Sequence, residues 1–275
     1  MPELPEVETI ARGLDKRVTG DVIESVWLGS KPEPLKSSAA EIDAALRSKT
    51  ISGVRRVGKH IVFDLASAAN GKRLAAKTES QWIVHLGMTG SLRVCPQDAE
   101  VEKHTHAILR LASGRELRFV DPRRFGRLSV IEKFEAPGAE PLQIPFADFA
   151  ALFHGRKTPI KSALLNQKLL SGVGNIYADE ALFRAGIRPR RRAASLTRDE
   201  LKKLHSALKK VLKEAIRLGG SSISDYVDAN GDEGFFQLKH RVYGREGELC
   251  LVCKTPIKRI VIAGRSSHYC PCCQK

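Results

Sequence analysis

Two pairs of cysteines constrain the end of this chain more tightly than any other feature. Cys250-x2-Cys253 is separated by 16 residues from Cys270-x2-Cys273, a spacing at which four thiolates close a tetrahedral site around Zn2+. Cys272 makes a competing pair with Cys270, but a one-residue gap is a worse match than two. Four thiolates leave no open coordination position, so one structural zinc ion is expected. It would stiffen a β-hairpin carrying Lys254, Lys258, Arg259 and Arg265. Of the six cysteines, five fall in the last 26 residues and only Cys95 lies elsewhere. That is not the spread of a secreted disulfide framework.

Charge is distributed as unevenly as the cysteines. The net charge is +15, yet residues 1–153 hold 22 Lys/Arg against 20 Asp/Glu and residues 154–275 hold 24 against 11. A C-terminal half this basic points to a polyanion, most simply nucleic acid. Arg265, near the turn before the second cysteine pair, is suited to reach it. The 275 residues favour about two domains, each large enough for its own core. No apolar run is long enough to span a bilayer.

The opposite end, Met1-Pro2-Glu3-Leu4-Pro5-Glu6-Val7-Glu8, is acidic and carries two prolines, unlike a secretory signal. Removing Met1 would leave Pro2 with a free secondary amine. An α-amino group has a pKa of about 7.7–8.0, so a useful fraction is neutral near neutral pH. Attack of such an amine on an aldehyde-like carbon gives a cationic imine, an electron sink for elimination. Glu3 stands beside it to move protons; Glu6, one helical turn on, is placed to orient the amine. The plainer reading is a helix start, with Pro5 in the first turn and Glu6 and Glu8 favourable to the helix dipole. The two are compatible, because a helix start is a rigid mount for a terminal amine.

Val7, Ile10, Ala11 and Leu14 fall on one helical face, and Gly20 ends the segment. Short β-type runs follow at Val22–Leu28, Ile51–Val57, His60–Leu65, Trp82–Leu86, Ser91–Val94, Ala107–Leu111, Glu116–Val120 and Leu128–Ile131. Their close spacing predicts an antiparallel sandwich or barrel, with a short helix from Ser38 to Leu46. Lys59 follows Arg55, Arg56 and Gly58, either as a solvated edge lysine or as a contact to phosphate or base beside the N-terminus. Met88 sits at the tip of a Gly-flanked turn. Asp121-Pro122-Arg123-Arg124-Phe125-Gly126 is a second turn, with two cations and an aromatic. Phe125 reads as ordinary core, or, with Met88 and Arg123, as the wedge that fills the gap when a base leaves the stack.

Helical patterns take over after the Pro/Gly-containing stretch 136–145. Ile160–Leu169 reads as one helix and Asn175–Ala185 as a second, joined by Ser171-Gly172-Val173-Gly174. A plain helical hairpin and a DNA-binding one both fit. Lys157, Lys161 and Lys168 favour nucleic acid, and Asn175 opens a helix whose free N–H groups suit a phosphate. Thr197-Arg198-Asp199-Glu200 is a capping box opening a helix through Leu218. The polar stretch from Ser221 to Phe236 is either a lid over a pocket or a loop.

Pro2 to Thr9, Lys59, Leu86 to Ser91, Asp121 to Gly126, Gly172 to Ala178, Val242-Tyr243-Gly244-Arg245 and the four cysteines together resemble the bacterial formamidopyrimidine-DNA glycosylases, in order and at suitable distances. The resemblance implies an α+β chain: an N-terminal antiparallel β-sandwich with flanking helices at 1–135, a linker at 136–145, a helix–two-turn–helix domain at 146–240 and a zinc finger at 241–275, with DNA in the cleft between. It implies Pro2 as nucleophile, Glu3 as proton donor and Lys59 in the same site. Asn175 and Arg265 would hold phosphates flanking the lesion, and Met88, Arg123 and Phe125 would fill the duplex gap. The activity implied is excision of oxidised purines from double-stranded DNA, with cleavage at abasic sites by β- and δ-elimination. Zinc is the one cofactor, and the enzyme is expected to be a monomer of the bacterial cytoplasm, on the nucleoid. Ala11 and Phe235 depart from residues common in the family, and the segment 66–80 matches nothing in it. Two other classes compete: a non-catalytic zinc-ribbon DNA-binding protein, which leaves the N-terminal octet idle, and an endonuclease VIII type acting on oxidised pyrimidines, which Leu4, Val7, Met88 and the Arg123/Phe125 pair disfavour.

Overall fold

Helix α1 (Leu4–Val18) begins where the octet predicts. Glu3 is its N-cap, and the Glu3 N–H donates to Glu6 Oε2 at 2.8 Å. Pro5 sits in the first turn, where a missing N–H costs nothing. Val7, Ile10, Ala11, Leu14 and Val18 form the buried stripe. Helix α2 (Ala39–Leu46) has the capping box its sequence promises: Ser38 Oγ accepts the Glu41 N–H at 3.2 Å, and Glu41 accepts the Ser38 N–H at 2.7 Å. This computed structural model describes residues 1–67, 78–222 and 234–275. Most of the unmatched segment 66–80 and of the loop or lid expected at 221–236 lies outside the described residues.

All eight expected strands are present, with ends shifted by no more than two residues. They are β1 (Ile23–Leu28), β2 (Lys49–Val57), β3 (His60–Ser67), β4 (Ser80–His85), β5 (Ser91–Pro96), β6 (Thr105–Leu111), β7 (Arg115–Val120) and β8 (Arg127–Ile131). They form two antiparallel four-stranded sheets, ordered β1-β6-β7-β5 and β2-β3-β4-β8. Ile61, Phe63, Trp82 and Val84 from one sheet share a core with Leu92, Leu109, Leu117 and Phe119 from the other, and Ile10 and Leu14 of α1 join it. This is the sandwich that alternating apolar residues dictate.

The second half is helical: α3 (Phe146–Ala151), α4 (Ile160–Leu165), α5 (Asn175–Ala185) and α6 (Arg198–Arg217). Helix α4 stops four residues short of the expected Leu169. Asn166 leaves the helical region at ψ 106° and its Oδ1 accepts the Lys168 N–H at 3.0 Å, a local turn that outcompetes the next helical bond. Thr197 and Glu200 cap α6 reciprocally, and Arg191 beside Glu200 holds that carboxyl down at about 2. Leu201, Leu204, Leu208, Val211 and Leu212 give α6 its core face. Strands β9 (Lys258–Ile262) and β10 (Arg265–Tyr269) pair through a two-residue turn, Ala263-Gly264, both at positive φ, as a tight hairpin requires.

The chain divides into two compact units. One is Met1–Glu135 with the described part of Gly219–Gly234; the other is Ala136–Leu218 with Phe235–Lys275. No helix among the described residues is long and apolar enough to cross a membrane.

Candidate active site and nucleic-acid interface

In the first unit Pro2, Glu3 and Glu6 are buried at the head of α1. Glu6 Oε2 accepts the Glu3 N–H, and Oε1 accepts the Ser221 N–H at 2.9 Å. A Cβ on Gly220 would lie 2.8 Å from Glu6 Oε1, so only glycine lets that backbone reach the carboxylate. Glu6 thus fixes the backbone that carries Pro2.

Lys59, expected at a strand start, is the second residue of the two-residue turn joining β2 to β3, after Gly58 at φ 61°. The same turn is tied to α1 by a pairing of Arg56 with Glu8 that the sequence did not reveal. Arg56 Nε meets Glu8 Oε2 at 2.7 Å, and Arg56 NH1 donates to Gly58 O at 3.1 Å. An arginine on a strand and a glutamate on a helix look like surface charges until the fold brings them together.

Met88 and Phe125 stand out from their turns, 42% and 52% exposed. Phe125 is therefore not core. The Arg123 guanidinium lies over its ring, 4.8 Å from the centroid, a cation–π contact. The turns touch each other: a Cβ on Gly87 would meet Phe125 C at 2.5 Å and Gly126 N at 2.6 Å. His85 Nδ1 accepts the Gly87 N–H at 3.1 Å. Burial, then the electrostatic influence of His60, Arg127 and Lys59, push the His85 pKa down to about 4, so its ring is a neutral acceptor at neutral pH.

In the second unit Asn175 is the first residue of α5, and its Nδ2 lies 3.4 Å from Ser266 Oγ on β10. Arg265 opens β10 and is exposed. Lys161, expected to face DNA, is 0% exposed. Its Nζ is 2.7 Å from Asp179 Oδ1 and donates to Ser266 O at 2.6 Å, while Asp179 Oδ2 accepts the His268 N–H at 2.8 Å. The ammonium is thus engaged inside the unit, where it ties α4 and α5 to the strand that carries Arg265. Glu180, next on α5, accepts the N–H groups of Arg241, Val242 and Tyr243 at 2.9–3.0 Å. Burial pushes its carboxyl upward, against the pull of those amides.

The sulfurs of Cys250, Cys253, Cys270 and Cys273 lie within 4.8 Å of one another. Zn–S bonds of about 2.3 Å in a tetrahedron put sulfurs about 3.8 Å apart. The pairs Cys250–Cys273 at 3.9 Å and Cys253–Cys270 at 3.4 Å bracket that value, so the donor set fits one structural zinc. Cys272 is exposed and outside the cluster.

Residues 1–128 match the family model described as the formamidopyrimidine-DNA glycosylase N-terminal domain, 137–227 the formamidopyrimidine-DNA glycosylase H2TH domain, and 247–275 the zinc finger found in FPG and IleRS. Sandwich, helical hairpin and finger in this order define a DNA-repair glycosylase of the helix–two-turn–helix class. The formamidopyrimidine-DNA glycosylase of Solibacter usitatus is 46% identical over the whole of both chains, and that of Listeria monocytogenes 40%. A Lactococcus lactis FPG mutant in complex with Fapy-dG-containing DNA superposes with a TM-score of 0.89 at 34% identity, covering 100% of each chain. The Lactococcus lactis Fpg in complex with abasic-site DNA gives 0.88 at 34% identity, over 99% of each. The chain belongs to the formamidopyrimidine-DNA glycosylase family. It is a base-excision repair glycosylase, and AP lyase activity is typical of its family.

Proposed function

We propose that this chain removes oxidised purines, 8-oxoguanine and formamidopyrimidines, from duplex DNA and then cleaves the strand, with the Pro2 amine as nucleophile once Met1 is removed. The observation that carries the reading is the buried helix start, where Glu6 fixes the backbone bearing Pro2 and Glu3 stands next to it. The lesion is turned out of the helix, because its sugar carbon is unreachable inside the stack. The Pro2 nitrogen bonds to C1′ as the glycosidic bond breaks, and the base leaves with the electron pair. Glu3 protonates the sugar ring oxygen, the ring opens, and C1′ becomes an imine. The imine acidifies the C2′ proton; its loss breaks the C3′–O bond, and a second elimination breaks the C5′–O bond. Water then releases the enzyme.

Lys59 serves the same site. Met88 and Phe125 fill the gap left by the base, and Arg123 contacts its orphaned partner. Asn175 and Arg265 hold flanking phosphates, and Lys161 acts through the hairpin it supports. The finger's zinc, held by Cys250, Cys253, Cys270 and Cys273, supplies shape and no chemistry. A catalytic part at 1–135, a linker at 136–145, a helical part at 146–240 and a finger at 241–275 belong to the same proposal, as does a monomer working in the bacterial cytoplasm on the nucleoid. The test is borohydride reduction of Met1-free protein with duplex DNA containing 8-oxoguanine. A covalent protein–DNA adduct is expected, and none from Pro2→Gly or from a homogeneous Met1-retaining sample. Full trapping by the Met1-retaining sample would remove Pro2 from the mechanism.

A further inference from the structure

Asp121 lies just past the end of β7 and is 0% exposed. Three donors converge on its carboxyl group. Thr89 Oγ1 donates to Oδ1 at 2.6 Å, the Arg123 N–H to the same oxygen at 3.2 Å, and the Gly126 N–H to Oδ2 at 2.7 Å. Its main chain is held as well: its N–H donates to His104 O at 2.9 Å, and His106 Nε2 lies 3.0 Å from its carbonyl oxygen. One donor comes from the turn that carries Met88, and two come from the turn that carries Arg123 and Phe125.

The room for this arrangement is set by glycine. A Cβ on Gly126 would lie 3.1 Å from Asp121 Oδ2 and 2.4 Å from Phe119 Cζ, and a Cβ on Gly87 would strike the Phe125 carbonyl carbon. The turns are therefore pressed together at their bases while their tips project into solvent. The Thr89 hydroxyl is a side-chain link from the first turn to the second. It adds no apolar burial.

We infer that Asp121 and Thr89 are positioning residues: they join the Met88 turn and the Arg123/Phe125 turn into one rigid wedge before DNA is met. This rests on the wedge role proposed above for those three residues and adds how they are held. A wedge entering a base stack works against unstacking of a few kcal/mol. A turn that yields would fail to transmit that work, and ordering two separate turns on binding would add an entropic cost that a preformed brace avoids.

The test uses Thr89→Val, which keeps the shape and deletes the donor, Thr89→Ser, which restores it, and Asp121→Asn, which alters the acceptor itself. Single-turnover cleavage is measured on matched duplexes carrying either 8-oxoguanine or a preformed abasic site, beside Phe125→Ala and with melting temperature as the folding check. For Thr89→Val, base excision is expected to fall about tenfold, the scale of one lost hydrogen bond, with abasic cleavage changed less than about twofold and recovery in Thr89→Ser. Asp121→Asn should show the same split and flatten the dependence on the base opposite the lesion, because it loosens the Arg123 backbone. If Phe125→Ala shows the split and neither Thr89→Val nor Asp121→Asn does, the brace is wrong and the wedge stands. If Phe125→Ala slows both substrates equally, the wedge itself fails and the brace with it. Equal slowing of both substrates in Thr89→Val also overturns the brace.

Discussion

The Met88 and Arg123/Phe125 turns of the first unit and the hairpin of the finger face the same problem with different means. Each must present exposed cations on a few residues of irregular or two-stranded backbone. The two turns of the first unit grow from a sandwich whose core includes Phe119, Leu86 and Leu92, so a buried carboxyl group needs only to join two bases already in place. The finger has no such support. Its buried cluster is Val242, Cys250, Ile257 and Cys270, packed with Phe183 of α5. Three apolar side chains are too few to order a segment of this length by burial alone. Metal coordination adds folding free energy there, and the buried Lys161–Asp179 pair fixes β10 in place through Ser266. The first unit thus positions its tools by packing and one polar hub, the second by charge and metal.

The largest expected effect separates the two regions outright. Metal analysis should give one zinc per chain. Cys250→Ser or chelation should unfold the hairpin and remove most duplex affinity, while the sandwich keeps its melting transition. Cys95→Ser, on β5 and outside the cluster, should change stability by no more than about 0.5 kcal/mol. Metal-free protein with undiminished duplex binding would show that the finger holds its shape without the ion.

Next in size is the buried ion pair. Lys161→Met leaves the Asp179 carboxylate buried without its ammonium, and breaking such a pair costs on the order of 3–5 kcal/mol. Urea unfolding should show that loss in the second unit, with weaker duplex binding through a displaced Arg265. Asp121→Asn should cost less, since an amide keeps an acceptor and the sandwich holds the turns. Comparable losses in the two variants would erase the contrast, and a neutral Lys161→Met would mean that the metal alone carries the hairpin.

The contrast also explains what could be read from the sequence. The sandwich was legible because alternation and turn spacing repeat along every strand, and α1, α2 and α6 announce themselves by Pro5, Ser38 and Thr197. The cysteine spacing identified the metal site outright. Helix α3 was missed because Phe146–Ala151 is too short to show a period. The burial of Lys161 was not legible because Lys157 and Lys168 nearby suggest a solvated face, while its partners lie on the next helix at Asp179 and over a hundred residues on at Ser266. Asp121 reads as an ordinary turn former; that its carboxyl group reaches Thr89 depends on the pairing of β5 with β7, which no local pattern encodes.

The last contrast is a dependence on acid, carried in the first unit by His85 and its neighbour His60, whose pKa burial also lowers, and in the second by His240. His85 in the first unit and His240 in the second both have pKa values near 4, each lowered chiefly by burial. Unfolding restores an ordinary value of about 6.5. Above that value the ring is neutral in both states and contributes no pH dependence. As pH falls from about 6.5 towards 4, the unfolded chain takes up a proton that the folded chain does not, so stability falls over that window and levels off below it. His240 is packed between Phe236 and Tyr243, so its protonation should show in melting temperature alone. His85 differs because its Nδ1 accepts the Gly87 N–H. A proton there turns the acceptor into a donor and releases the base of the Met88 turn. Excision of 8-oxoguanine should therefore weaken towards pH 4 more than cleavage of an abasic site. His85→Asn places a non-titrating oxygen near the Nδ1 position. It should flatten the acid limb of excision while leaving the His60 and His240 shares of the melting curve. An acid limb of excision that is unchanged in His85→Asn would remove the histidine from the control of that turn.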